Sequence, residues 1–157
     1  MKIFSLILGT FILLYAFSGC DKEDIYIQDG FYDDSSIKSI EGTWKIISYQ
    51  DFVNDTSVYK HDIGSDSLDV IISFEDKMFK NILSGTNTTN SISGEYKYKS
   101  KREIKIKFIV TTLISEPEWG QMFSAISSQI KEFKINSAQL RFYYNNQNNS
   151  VTLDKVF

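Results

Sequence analysis

Cysteine, proline and histidine each occur once in the 157 residues. A single cysteine cannot close an intramolecular disulfide, and with a single histidine it cannot supply the four ligands of a structural zinc site. The lone His61 has Asp62 and Ser65 near it in sequence. Adjacent loop residues rarely reach base-to-nucleophile geometry, however, and no strand-turn-helix elbow surrounds any serine. Asp62, Asp66 and Asp69 lack the glycine turn and distant glutamate of a calcium loop, so they read as solvated turn acids. No glycine-rich phosphate loop is present. An excess of positive charge is missing too: 17 Lys and Arg against 20 Asp and Glu leave a net charge of −3, which argues against a nucleic-acid partner. These absences lead to the expectation of a non-enzymatic chain with no cofactor and no metal site. The length allows one domain and a short leader.

The apolar stretch from Ile3 to Phe17 is diluted by Ser5, Gly9 and Thr10 and is barely as long as the ~20 apolar residues a spanning helix needs. With Lys2 ahead of it and Ser18 and Gly19 behind, it has the three parts of a secretory signal. Phe17-Ser18-Gly19-Cys20 resembles the bacterial lipobox, with Phe17 in place of the usual leucine. The resemblance implies cleavage between Gly19 and Cys20, diacylation of the Cys20 sulfur and, in many bacteria, acylation of the new amino terminus. Two or more chains give lasting attachment, since each buried CH2 adds ~0.8 kcal/mol and one chain binds only marginally. An uncleaved anchor helix and an ordinary buried cysteine are the competing readings. Loss of the signal, which carries Lys2 and no acid, would move the net charge to −4.

Residues 21–36, Asp-Lys-Glu-Asp-Ile-Tyr-Ile-Gln-Asp-Gly-Phe-Tyr-Asp-Asp-Ser-Ser, hold six acids and no periodic apolar face, and read as a tether. Asp21-Lys22-Glu23-Asp24 resembles the export signal that sends Bacteroidetes lipoproteins to the outer face of the outer membrane; a plain solvated spacer is the alternative. The expected organisation is a signal peptide over residues 1–19, a lipidated cysteine and tether over 20–37, and a β domain over 38–157.

Within that domain, alternation dominates. The stretch from Thr43 to Val53 reads as a strand with bulky residues on both faces, and Leu68 to Leu83 as two runs around a Glu75-Asp76-Lys77 turn, a hairpin. Tyr96 and Tyr98 alternate with Lys97 and Lys99, and Ile104, Ile106 and Phe108 with Lys105 and Lys107, so one face is buried and the other wet. The lysine face reads as solvated sheet that also blocks edge-to-edge pairing. Two further strands flank an asparagine-rich turn after Tyr144. Helix-strand alternation is missing, which excludes a parallel sheet.

One helix is expected. Ser115 and Glu118 have capping-box spacing, Pro117 falls in the first turn, and Trp119, Met122, Phe123, Ile126, Ile130 and Phe133 recur at helical intervals. Gly120 costs such a helix ~1 kcal/mol relative to alanine, so its regular part is expected to begin after that residue. The apolar face is expected to close the sheet rather than touch membrane, because no basic polar face accompanies it.

Gly42-Thr43-Trp44 resembles the Gly-x-Trp opening of lipocalin-like domains, in which the tryptophan crosses the closed end of an eight-stranded antiparallel barrel. From Gly94 onward the order of elements is similar to the META domain, with Gly94, Tyr96, Thr112, Phe123, Phe133, Ile135, Leu140 and Leu153 in its places. The chain departs from that family at Leu113-Ile114, where a cysteine often follows the threonine, and in the loop before Gly94. Both resemblances imply the same fold class: all-β with one helix, an antiparallel barrel or half-barrel. Neither supplies a function.

The 23 aromatic residues make shape and surface the remaining carriers of activity. Trp44, Tyr96, Tyr98, Phe108, Phe142 and Tyr144 would line an amphipathic pocket in a roomy barrel, or form plain core in a filled one. Tyr49, Tyr59 and Tyr143 read as surface tyrosines suited to protein or glycan contact. The expected role is a lipid-anchored cell-envelope protein, which the resemblances imply is held at the outer membrane and exposed at its surface, that binds a small apolar ligand or an envelope protein. A structural or inhibitory protein with a filled barrel is the alternative.

Overall fold

The computed structural model describes residues 30–63, 68–111 and 114–157. The signal stretch, Gly19, Cys20 and the acids that follow it lie outside the described residues, as do Ser65, Asp66 and Thr112.

Nine antiparallel strands form one sheet among the described residues: β1 (Gly42–Asp51), β2 (Thr56–Tyr59), β3 (Val70–Glu75), β4 (Asn81–Asn87), β5 (Asn90–Tyr98), β6 (Ile104–Thr111), β7 (Glu132–Ile135), β8 (Gln139–Tyr144) and β9 (Asn149–Val156). Their order is β6-β5-β4-β3-β1-β9-β8-β7, with β2 on β1. The two ends of this order meet. Glu103 bridges Glu132, the Ile104 amide donates to the Lys131 carbonyl at 2.7 Å, and the Phe133 amide donates to the Arg102 carbonyl at 2.9 Å. The sheet therefore curls into a lipocalin-like half-barrel joined at one point, which removes most of its open edge.

β1 is the pivot. A register shift between Ile46 and Ser48 bends it, so that Gly42 to Lys45 pair with β3 while Ser48 to Asp51 pair with β2. Alternation then does what it predicts on β5 and β6: Ile92, Tyr96, Ile104 and Ile106 are buried, and Lys97, Lys105 and Lys107 are exposed. At Gly94 the two strands approach so closely that an added Cβ would lie 2.2 Å from the Lys107 carbonyl oxygen, which explains a glycine in the middle of a strand.

The helix α1 (Glu118–Ile126) is shorter than its apolar spacing predicts. Its cap is Pro117, and no side chain caps it, so the Ser115–Glu118 capping box does not form. It starts ahead of Gly120, not after it, because Gly120 is buried against the Glu116 side chain, 2.4 Å from where a Cβ would stand. After Ile126 a single 3-10 turn, Ser127–Gln129, leads to Ile130 in extended conformation, and Phe133 belongs to β7. Trp119 and Phe123, both buried, insert into the core from this end. Among the described residues no helix is long and apolar enough to cross a membrane.

The β3–β4 turn runs from Asp76 to Lys80, later than the sequence places it, so Met78 and Phe79 fall at its tip and not in β4. Residues 33–37, assigned on sequence to the tether, lie against β7. The Asp34 amide donates to the Ile135 carbonyl at 2.8 Å and the Ile135 amide to Asp33 Oδ1 at 2.9 Å. Arg102 fastens the same segment, with Nε and Nη2 on the Asp33 carboxylate at 2.9 Å and further bonds to the carbonyls of Asp34 and Ile37.

Candidate functional site

The six aromatic residues singled out for a pocket divide into two groups. Trp44, Tyr96 and Phe142 are almost fully buried. The Trp44 indole donates to the Ile40 carbonyl at 2.8 Å, and Lys155 Nζ stands 5.6 Å from its ring centre. Tyr96 meets Phe74 edge-on at 5.3 Å, and Phe74 in turn contacts Phe142 at 5.9 Å. Tyr98, Phe108 and Tyr144 are half-buried, and Phe108 stacks on Phe123 of α1 at 5.4 Å. From the helix end Trp119 reaches Tyr49, edge to face at 4.8 Å. Large side chains that would have lined a lumen touch one another across it.

Of the three tyrosines expected at the surface, only Tyr59 is exposed; Tyr49 and Tyr143 are buried. Tyr49 is turned inward by the β1 bulge, which moves every later residue of that strand to the opposite face.

A polar cluster seals the end of the barrel near Trp44. The Asp76 carboxylate accepts the Tyr96 hydroxyl at 2.5 Å, the Ser39 hydroxyl at 2.5 Å and the Tyr98 hydroxyl at 3.3 Å. The Tyr98 oxygen accepts the Ile40 amide at 3.0 Å. Desolvation, helped by Asp76 nearby, pushes the Tyr96 phenol well above its usual range; Tyr98 is raised as well, again chiefly by desolvation. These phenols therefore act as hydrogen-bond donors that hold strands together, not as acids or bases near neutral pH. At the opposite end Glu116 plays the matching part: it accepts from the Thr88 hydroxyl, the Asn90 amide group and, at 3.2 Å, the Thr89 backbone amide, latching the β4–β5 turn to the start of α1.

Among the described residues, clefts open on the outer surface. One of about 450 Å³ lies at the β6–β7 seam, floored by Ile104, Ile106 and Ile130 and rimmed by Lys99, Lys105 and Lys131. A second, about 410 Å³, sits over the β1 bulge between Lys45, Tyr59, Lys60, His61 and Asp154. A third, about 170 Å³, runs between Lys97, Lys99, Lys105 and Lys107 on the wet face of β5 and β6. Of the six pocket candidates Tyr96 alone reaches any of these clefts.

His61 is exposed, stacks on Tyr59 at 5.5 Å and has Nε2 3.1 Å from Asp62 Oδ1. Asp62 also accepts the Tyr59 amide, and Asp69 is paired with Lys60. These loop acids are thus engaged in the 3-10 turn Lys60–Asp62 and its ion pair, and among the described residues no cluster of His, Cys, Asp or Glu could hold a metal ion.

Two features escape a reading of the sequence. The first is the segment around Asp33, whose acids look like spacer until Arg102 of the β5–β6 turn is seen to bind the Asp33 carboxylate and the Asp34 backbone carbonyl. The second is the β3–β4 tip, where Met78 and Phe79 are 92% and 95% exposed between Lys77 and Lys80. Two apolar residues bracketed by lysines inside a turn are the signal that marks it.

No family model and no curated protein matches the chain. Two solved structures share its fold. A protein from Burkholderia xenovorans, determined by NMR, aligns with a TM-score of 0.62 at 14% identity over 80% of this chain and 90% of its own. The crystal structure of a DUF4847 family protein from Bacteroides vulgatus aligns with a TM-score of 0.52, also at 14% identity, over 76% of this chain and 95% of its own. At that identity the likeness is one of fold alone: a curled antiparallel half-barrel with one short helix.

Proposed function

We propose that this chain is a lipid-anchored, non-enzymatic protein of the cell envelope whose filled barrel offers its outer surface to another envelope component. The observation that carries this reading is the interior: Trp44, Trp119, Tyr96, Phe74, Phe123, Phe133 and Phe142 are all less than 2% exposed, and they occupy the space a carrier would leave for cargo. The anchor rests on the lipobox resemblance at Phe17 to Cys20. A small apolar ligand remains the second reading, favoured by the seam cleft with its isoleucine floor and volume of about 450 Å³.

The test is mass spectrometry on the protein extracted from bacterial membranes. The expected product begins at Cys20, carries the mass of its acyl chains and has no further adduct under native conditions. Cys20→Ala is expected to stay unprocessed and unacylated. A stoichiometric apolar adduct would replace the filled-barrel reading by the second one, and an unacylated, uncleaved wild-type chain would remove the anchor.

A further inference from the structure

We infer that the Lys77-Met78-Phe79-Lys80 hairpin tip is a second membrane contact, dipping into the interface of the leaflet that holds the acyl chains; this rests on the lipid-anchor reading above. The first ground is exposure. Met78 and Phe79 are almost wholly in solvent, more so than any other internal apolar residue among those described, and they sit at the end of a hairpin with no neighbouring element to shield them. The second is chemistry. Lys77 and Lys80 flank the pair on side chains more than half exposed, each in a surface ion pair at 3.0 Å, with Glu75 and Glu95 respectively. Such pairs contribute little, and a lipid phosphate can replace them. The next turn at the same end carries exposed Lys99 and Lys101. Apolar residues that enter the acyl boundary while adjacent ammonium groups meet phosphates make the usual interfacial arrangement.

The third ground is direction. The chain comes onto the barrel at this end. Asp33 and Asp34 are held by Arg102 of the β5–β6 turn, and six residues later Ser39 donates to Asp76 at the base of the β3–β4 turn. Gly30 is only ten residues on from Cys20, so even a fully extended link spans at most about 35 Å. The carboxyl-terminal Phe157, fully exposed, follows Val156, which pairs with Thr43 at the same end. The far end differs. Its β8–β9 turn is Asn145, Asn146, Gln147 and Asn148, and its exposed aliphatic residues among those described, Val53, Leu68, Ile109 and Ile114, have no lysines bracketing them in the sequence.

The test uses the acylated protein in vesicles of phosphatidylethanolamine with a minority of phosphatidylglycerol. Phe79→Trp is compared with Asn146→Trp at the far end, both retaining the buried Trp44 and Trp119 as common background. Fluorescence at position 79 is expected to be quenched by brominated acyl chains and shielded from acrylamide, while position 146 behaves oppositely. The acyl mass is confirmed first, and its absence would overturn the anchor reading and this inference with it. An acylated protein whose residue 79 is unquenched overturns the inference alone, as does equal quenching at both positions. Shielding of residue 79 in native membranes but not in protein-free vesicles would assign the tip to a protein partner and overturn it too.

Discussion

Asp76 joins three segments that are remote in sequence: the arm at Ser39, the β3–β4 turn, and β5 through Tyr96 and Tyr98. Removing the carboxylate leaves the Tyr96 hydroxyl, on a residue 1% exposed, without its acceptor. Asp76→Ala is therefore expected to cost about 2–3 kcal/mol in urea unfolding, the range for bonds to a charged acceptor plus an orphaned buried donor. Asp76→Asn, which retains one acceptor, should cost less, and a loss under ~0.5 kcal/mol for alanine would show that water replaces the carboxylate freely. That Tyr96 faces inward was legible in its alternation with Lys97. That its hydroxyl ends on Asp76 was not, because local period fixes only the face of a strand, whereas the partner depends on how two hairpins lie side by side.

The same limit governs elements. β5 and β6 announce themselves because a buried and a wet face alternate along them, and they lie where that pattern puts them. β8 and β9 are marked instead by the asparagine-rich turn between them, since β9 is buried at four successive residues, Ser150 to Leu153. The apolar spacing overstates the helix because half-buried Ile126 at the end of α1, Ile130 in the link and Phe133 in β7 happen to continue one interval across a change from helix to strand. β2 is four residues with none buried, so it carries no apolar period to detect; it forms because the β1 bulge leaves half of that strand unpaired on one side. A nine-residue helix does not hold its shape alone in water, so α1 depends on its docking. Trp119 and Phe123 supply the apolar part and Glu116 the polar part. Glu116→Ala is expected to lower stability by about 1–3 kcal/mol. It should also speed hydrogen exchange at Thr89 and through the first turn of α1 while leaving β8 and β9 unchanged. Uniform acceleration across all strands would instead mean that the latch belongs to the global fold and not to this end of it.

For the molecule as a whole the deciding property is that the barrel is filled, and tyrosine ionisation reads it directly. Desolvation raises the Tyr49 phenol far above its ordinary value of 10.0, and the same cause dominates at Tyr96, Tyr98 and Tyr144. In the unfolded chain these groups lose their protons near pH 10, while the folded barrel keeps them protonated. Above that pH the native state therefore binds more protons than the unfolded state, and stability falls as pH rises. Below pH 10 both states are protonated and these groups contribute no slope. Each tyrosine so held adds about 1.4 kcal/mol per pH unit to the decline, and Tyr49 and Tyr96, the two most buried, are expected to supply two such increments. Tyr49→Phe should remove one of them at little cost near neutral pH, because the hydroxyl makes only a long 3.4 Å contact with the Trp119 carbonyl. Urea midpoints followed from neutral pH to well above 10, with tyrosinate absorbance recorded alongside, distinguish the two kinds of barrel. A filled one unfolds as its tyrosines ionise, in a single coupled step. A hollow, hydrated one would let the same tyrosines ionise near pH 10 with the strands still paired, and that outcome would return the small-ligand reading to first place.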